Sequence, residues 1–167
     1  MPLGVLGALI ALQAERIVCA LSQTTDLSAL LTSQEQAQLA RERNPAAQVR
    51  LLLRIAENRL QEAERLAAQE SFEPALSVLL VYRAVLEHAF ARIEAVPPGG
   101  RRKNAYKDFD LHVRRHLKDL EPLTRAFPVG LAAEAERVLK TATRLRFEAL
   151  NAFAGGRILT HPRPKSH

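Results

Sequence analysis

A chain of 167 residues, 47% apolar and 25% charged, is long enough for one domain with a conventional core, and neither a disordered chain nor a membrane-embedded one is its natural reading. Aromatic residues are 5% of the total and Cys occurs once, so an internal disulfide framework and a zinc site built on paired thiolates are excluded. The formal charge of +6 is local: residues 97–118 carry +5 and residues 157–167 carry +3, on an otherwise near-neutral body.

Residues 3–12 form an apolar run too short to cross a bilayer as a helix. Val18 and Ala20 stand at the −3 and −1 positions of a cleavage after Ala20, so residues 1–20 resemble a secretory signal peptide. The alternative is an amphipathic first helix of the folded domain. Cleavage would remove Cys19 and place the mature chain in the periplasm or outside the cell, whereas an uncleaved chain would be cytoplasmic. No later segment is expected to be long and apolar enough to cross a membrane.

A short helix is predicted from Ser33, which forms a capping box with Gln36, to about Arg43. Asn44-Pro45 then reads as an N-cap followed by proline at the first helical position. In the long helix that follows, Val49, Leu52, Leu53, Ala56, Leu60, Ala63 and Ala67 recur at spacings of three and four. Ser71 starts the next helix, with Pro74 tolerated in its first turn. Residues 75–93 are apolar almost all round, the pattern of a central and most buried helix. Pro97-Pro98-Gly99-Gly100 breaks the chain, and a third long helix is predicted from about Asn104, with Pro122 kinking it or ending its regular part. After Phe127-Pro128-Val129-Gly130, a fourth presents Leu131, Ala135, Val138, Ala142, Leu145, Ala149 and Phe153 inward and stops at Gly155-Gly156.

Long helices without any alternating β-branched run predict an all-α fold, an antiparallel four-helix bundle with an additional short N-terminal helix. The domain is expected to span residues 21–156, followed by a flexible basic tail at 157–167. Leu51 and Ile55 lie off the main face of their helix and are candidates for an exposed stripe through which two copies would pair.

His112 and His116 are spaced to share a metal on one helix, but Val113 stands where a zinc protease needs its glutamate. Val85, Phe109 and Val113, three residues before His88, His112 and His116, exclude the Glu-x-x-His pattern of di-iron bundles. His112 and His116 therefore read as members of a solvated basic face. No Gly-x-Ser-x-Gly elbow and no strand-borne phosphate loop occurs, and no cofactor is expected. Arg101, Arg102, Lys103, Lys107, Arg114, Arg115 and Lys118 form the candidate anion-binding stretch, suited to an anionic ligand or nucleic acid, with Asp108 and Asp110 diluting its field.

Ala56-Glu-Asn-Arg-Leu60, Ala63-Glu-Arg-Leu66, Phe72, Ala75 and the apolar helix after them resemble the helical hairpin of HEPN domains. More faintly they resemble one tetratricopeptide unit, with Glu70 in place of its turn glycine. The HEPN resemblance implies a helical bundle and, in its RNA-cleaving members, an Arg followed four to six residues on by a His, a spacing that Arg83 and His88 fit. The residues together point to a binding or scaffolding module without catalysis, engaging a protein partner or a second copy of itself. The alternative is an RNA-binding or RNA-cleaving protein that uses Arg83 and His88.

Overall fold

Helix boundaries in this chain are set by side chains and turns that satisfy the orphan backbone groups of each end. In a computed structural model that describes residues 27–155, all regular structure is helical. The helices are α1 (Leu27–Leu30), α2 (Ser33–Arg41), α3 (Pro45–Ala68), α4 (Phe72–Ile93), α5 (Gly100–Ala126) and α6 (Val129–Ala154). The segments read as a leader (1–20, with cleavage after Ala20 and the thiol of Cys19) and as a tail (157–167) lie outside the described residues.

The capping box of α2 is one residue earlier than the sequence suggested. Thr32 Oγ1 accepts from the Glu35 N–H at 3.2 Å and Thr32 N–H donates to Glu35 Oε2 at 2.8 Å. A carboxylate is the stronger acceptor and complements the positive helix start, so Thr32-Glu35 displaces Ser33-Gln36. Asn44 caps α3 as expected, its Oδ1 accepting from Ala46 N–H at 3.0 Å. The α3–α4 turn closes with Ser71 N–H on Leu66 O at 3.0 Å and Glu70 N–H on Ala67 O at 2.9 Å, the paired bonds of a Schellman motif. Glu70 therefore takes the left-handed position, at φ 59°.

Helix α5 begins at Gly100, ahead of Asn104, because Arg102 reaches back to the end of α4. Its Nε donates to Val96 O at 2.7 Å and its Nη2 to Glu94 O at 2.8 Å. Tyr106 donates its hydroxyl to the Glu94 carboxylate and holds the same turn from the next helical turn. Pro122 lies inside a continuous helix. Lys118, whose carbonyl the proline deprives of a donor, is exposed, so water meets that group.

Packing pairs α3 with α4 and α5 with α6, and the pairs meet through α3 on α5 and α4 on α6. Chain neighbours α4 and α5 make slight contact, while α1 rests on α4 and α2 on α3. Fully buried Ala56 and Ala63 on α3, with Ala75 and Ala89 on α4, leave room for close approach, and Leu52, Leu53, Leu79, Tyr82 and Leu86 fill the centre. On α6, Ala135, Val138, Ala142, Leu145 and Ala149 are the buried residues, a three-four alternation that gives a narrow seam. Phe153 leaves that seam and is 36% exposed.

Two packing expectations are corrected. Leu51 and Ile55 are 9% and 2% exposed, so they form no free stripe: α3 is gripped by α4 on one side and α5 on another, which widens its buried sector. Helix α4 is not enclosed all round, since Val78, Leu80, Val81 and Phe90 are half-buried beside one fully buried face. Against expectation, this 22-residue helix is long and apolar enough to cross a bilayer by length and composition, an 18-residue window of it having mean hydropathy 1.3. Its Leu79, Tyr82, Val85, Leu86 and Ile93 are packed in the protein core.

The left-handed Glu70 provides a test of the turn. Glu70→Gly is expected to raise stability by about 0.5–1 kcal/mol, the relief of a strained β-carbon less the greater freedom of glycine in the unfolded chain. Denaturant unfolding measures it, and Glu70→Val should shift the midpoint the other way.

Candidate anion-binding groove

Helix α2 is clamped to α3 by Glu35, which accepts from Arg59 Nη2 at 2.6 Å across the two helices. The turn between them is tied by Gln48 Nε2 donating to Glu42 O at 2.6 Å and by Asn44 N–H donating to Glu42 Oε1 at 2.8 Å. These bonds hold Arg41 at the end of α2 beside Arg50 and Arg54 on α3. All three arginines are exposed. Together with Gln38, Glu42, Ala47, Leu51 and His112 of α5 they line an open cleft of about 780 Å³.

His112 also belongs to a second cleft of about 370 Å³ on the outer side of α5, walled by Asp108, Leu111, Arg114, Arg115 and Lys118. The two depressions share His112 in their walls. Six exposed cations line them: Arg41, Arg50 and Arg54 the larger, Arg114, Arg115 and Lys118 the smaller. None of the eight ion pairs among the described residues involves any of them. Sequence reading missed Arg41, Arg50 and Arg54, because the segments that carry them sum close to neutral. A register of free arginines at the α2–α3 junction was the available signal.

The basic stretch itself divides. Arg114, Arg115 and Lys118 face the groove, whereas Arg102 is committed to the α4–α5 turn through two backbone carbonyls and Glu94. Arg101, Lys103 and Lys107 are exposed but line neither cleft. Asp110 does not dilute the groove. It is turned inward, and its Oδ1 accepts from Arg146 Nε of α6 at 2.9 Å.

The two histidines separate despite their spacing. His112 is half-buried at the groove, and its Nδ1–H donates to Asp108 O at 2.8 Å. His116 is 3% exposed and so is not part of a solvated face. Its Nδ1 shares a hydrogen bond with the Tyr82 hydroxyl at 3.4 Å, the rings meeting edge to face, and its Nε2 is buried without a partner. Burial lowers the His116 pKa from its ordinary 6.5 to about 4; the Glu57 carboxylate opposes this, and the charges of His112 and Arg115 reinforce it. No three His, Cys, Asp or Glu side chains among the described residues are placed to hold a metal ion.

Arg83 and His88 are both half-buried on α4. Five residues at about 3.6 per turn set them about 140° apart around the helix. His88 lines a cleft of about 250 Å³ with Leu27, Ala91, Arg92 and Ala95, and Arg83 is not among its walls.

The profile of a family described as a domain of unknown function (DUF5667) matches residues 29–126, more than half of the chain. The matched segment contains every cation of the groove and ends with α5. No curated protein matches the chain. No solved structure matches it either.

The buried imidazole gives stability a pH dependence of known sign. As pH falls below about 6.5 the unfolded chain protonates this histidine while the folded chain resists until about 4. Stability that is present above pH 6.5 is therefore lost as pH falls toward 4, by roughly 3 kcal/mol from this group. His116→Phe should flatten that part of a curve of unfolding free energy against pH, and an unchanged slope would show that the imidazole does not cause it.

Proposed function

We propose that this chain, which belongs to the DUF5667 family, is a binding module without catalysis that captures an anionic partner in the groove between α2, α3 and α5. The observation that carries this reading is the convergence of six exposed cations, from three helices, with no acidic side chain paired to any of them. Like charges gathered on one concave surface raise the local concentration of anions and give them more than one guanidinium to bind. Glu42 and Asp108 reduce that field without cancelling it.

In this reading the four long helices form an antiparallel four-helix bundle made of two hairpins, α3–α4 and α5–α6. The pairings of α3 with α5 and of α4 with α6 support it. The bundle is the rigid frame, and the short α2 completes one wall of the groove. A non-catalytic role is supported by the position of Arg83 outside the cleft that His88 lines. Export through residues 1–20 belongs to the same proposal. Mass spectrometry of the natively expressed protein tests it: a mature start at Leu21 supports export, and an intact Met1 overturns it.

Binding of labelled polyglutamate and of an oligothymidylate by the full chain tests the groove. At least one should bind at low salt and weaken steeply as salt rises. Arg50→Glu and Arg54→Glu should each cost about tenfold in affinity. Arg102→Met is the control, expected to lower stability by about 1.5–3 kcal/mol through the lost turn bonds while leaving binding unchanged. Absence of binding by both probes, or indifference to Arg50→Glu, would refute the reading.

A further inference from the structure

The groove is not uniformly polar. Leu51 and Ala47 lie in the wall of its larger part, and Leu111 stands 44% exposed among Arg114, Arg115 and Lys118 in the smaller part. A side chain of this size left open to water amid cations offers apolar surface that an occupant can cover. Building on the reading of the groove as an anion site, we infer that its occupant is an acidic polypeptide segment carrying leucine-sized side chains.

Three features favour a polypeptide over a nucleic acid. No Phe, Tyr or Trp ring lines either cleft, so the half-buried His112 imidazole is the one ring offered to unpaired bases. Asp108 stands in the wall beside the cations, where a phosphate backbone with its closely spaced charges meets repulsion that a peptide avoids by spacing its carboxylates. A nucleic acid meets cations mainly through its phosphates, whereas a peptide sets an aliphatic side chain beside its carboxylates and so removes Leu111 from water.

The cation spacing suits such a segment. Arg50 and Arg54 are one helical turn apart, about 6 Å along α3. Arg114 and Lys118 repeat the same interval on α5. Carboxylates four residues apart on a helical peptide meet this interval directly, and guanidinium groups bind carboxylates in a two-bond fork. Leu111 then receives the apolar side chain that lies on the same face of the peptide.

Fluorescence anisotropy of the full chain with three labelled probes tests the inference: a glutamate-rich peptide with interspersed leucines, its counterpart of equal charge with serines, and an oligothymidylate. The leucine peptide is expected to bind about tenfold tighter than the serine peptide, the worth of burying part of an aliphatic side chain. Leu111→Ser should bring the ratio of the two peptide affinities towards one, with a circular dichroism melt matching the parent chain. Arg54→Glu should weaken both peptides. Equal binding of the two peptides, a ratio indifferent to Leu111→Ser, or tighter binding of the oligothymidylate overturns the inference and leaves the anion site standing. Failure of all three probes to bind overturns the anion site together with it.

Discussion

The turn from α4 to α5 is the constraint on which the site depends. Arg102 closes it by donating to the carbonyls of Glu94 and Val96, and Tyr106 braces Glu94 from one turn further along. Burial, aided by the neighbouring Glu94, pushes the Tyr106 phenol up to about 12, so it remains a donor through the neutral range. Leaving this turn, the chain does not lay α5 against the helix it has just completed. It places α5 beside α3 instead. That placement brings His112 to the same cleft as Arg50 and Arg54.

The electrostatics of the groove follow from where the acids are used. Glu35 holds Arg59 at the α2–α3 contact, Asp110 holds Arg146 at the α5–α6 contact, and Glu94 takes Arg102 and Tyr106. Each of these carboxylates fixes one helix or turn against another. Five further pairs are exposed one-turn contacts, on α3, α5 and α6, and contribute little to stability. A body that is nearly neutral along the chain therefore acquires a cationic face by committing its acids elsewhere.

One turn further along α5 a polar pair is buried. Tyr82 and His116 meet in the core with one hydrogen bond between them, and the second imidazole nitrogen is left without a partner. Such a group lowers the stability margin and makes it depend on pH, while His112, one turn earlier, stands at the solvent-reached groove. Two residues that look equivalent on a helical wheel are thus assigned to core and surface by which neighbouring helix each one meets.

Much of the fold was legible without coordinates. Asn44-Pro45, the three-four recurrence of small and aliphatic residues on α3 and α6, and the stop at Gly155 follow from local rules of capping, periodicity and left-handed backbone geometry. The Thr32-Glu35 cap and the early start of α5 were less legible, since each is decided by competition between adjacent candidates or by a long side chain reaching back across a turn. The basic residues of 101–118 were visible as a run, but the run did not reveal that Arg102 is structural, nor that the cleft lined by Arg114, Arg115 and Lys118 shares His112 with a cleft of arginines more than fifty residues earlier. Local sequence determined the helices and their buried stripes, because hydrogen bonding and apolar period act over one or two turns. The tertiary structure decided which helix lies beside which, and hence where charge accumulates, because that depends on contacts between residues far apart in the chain.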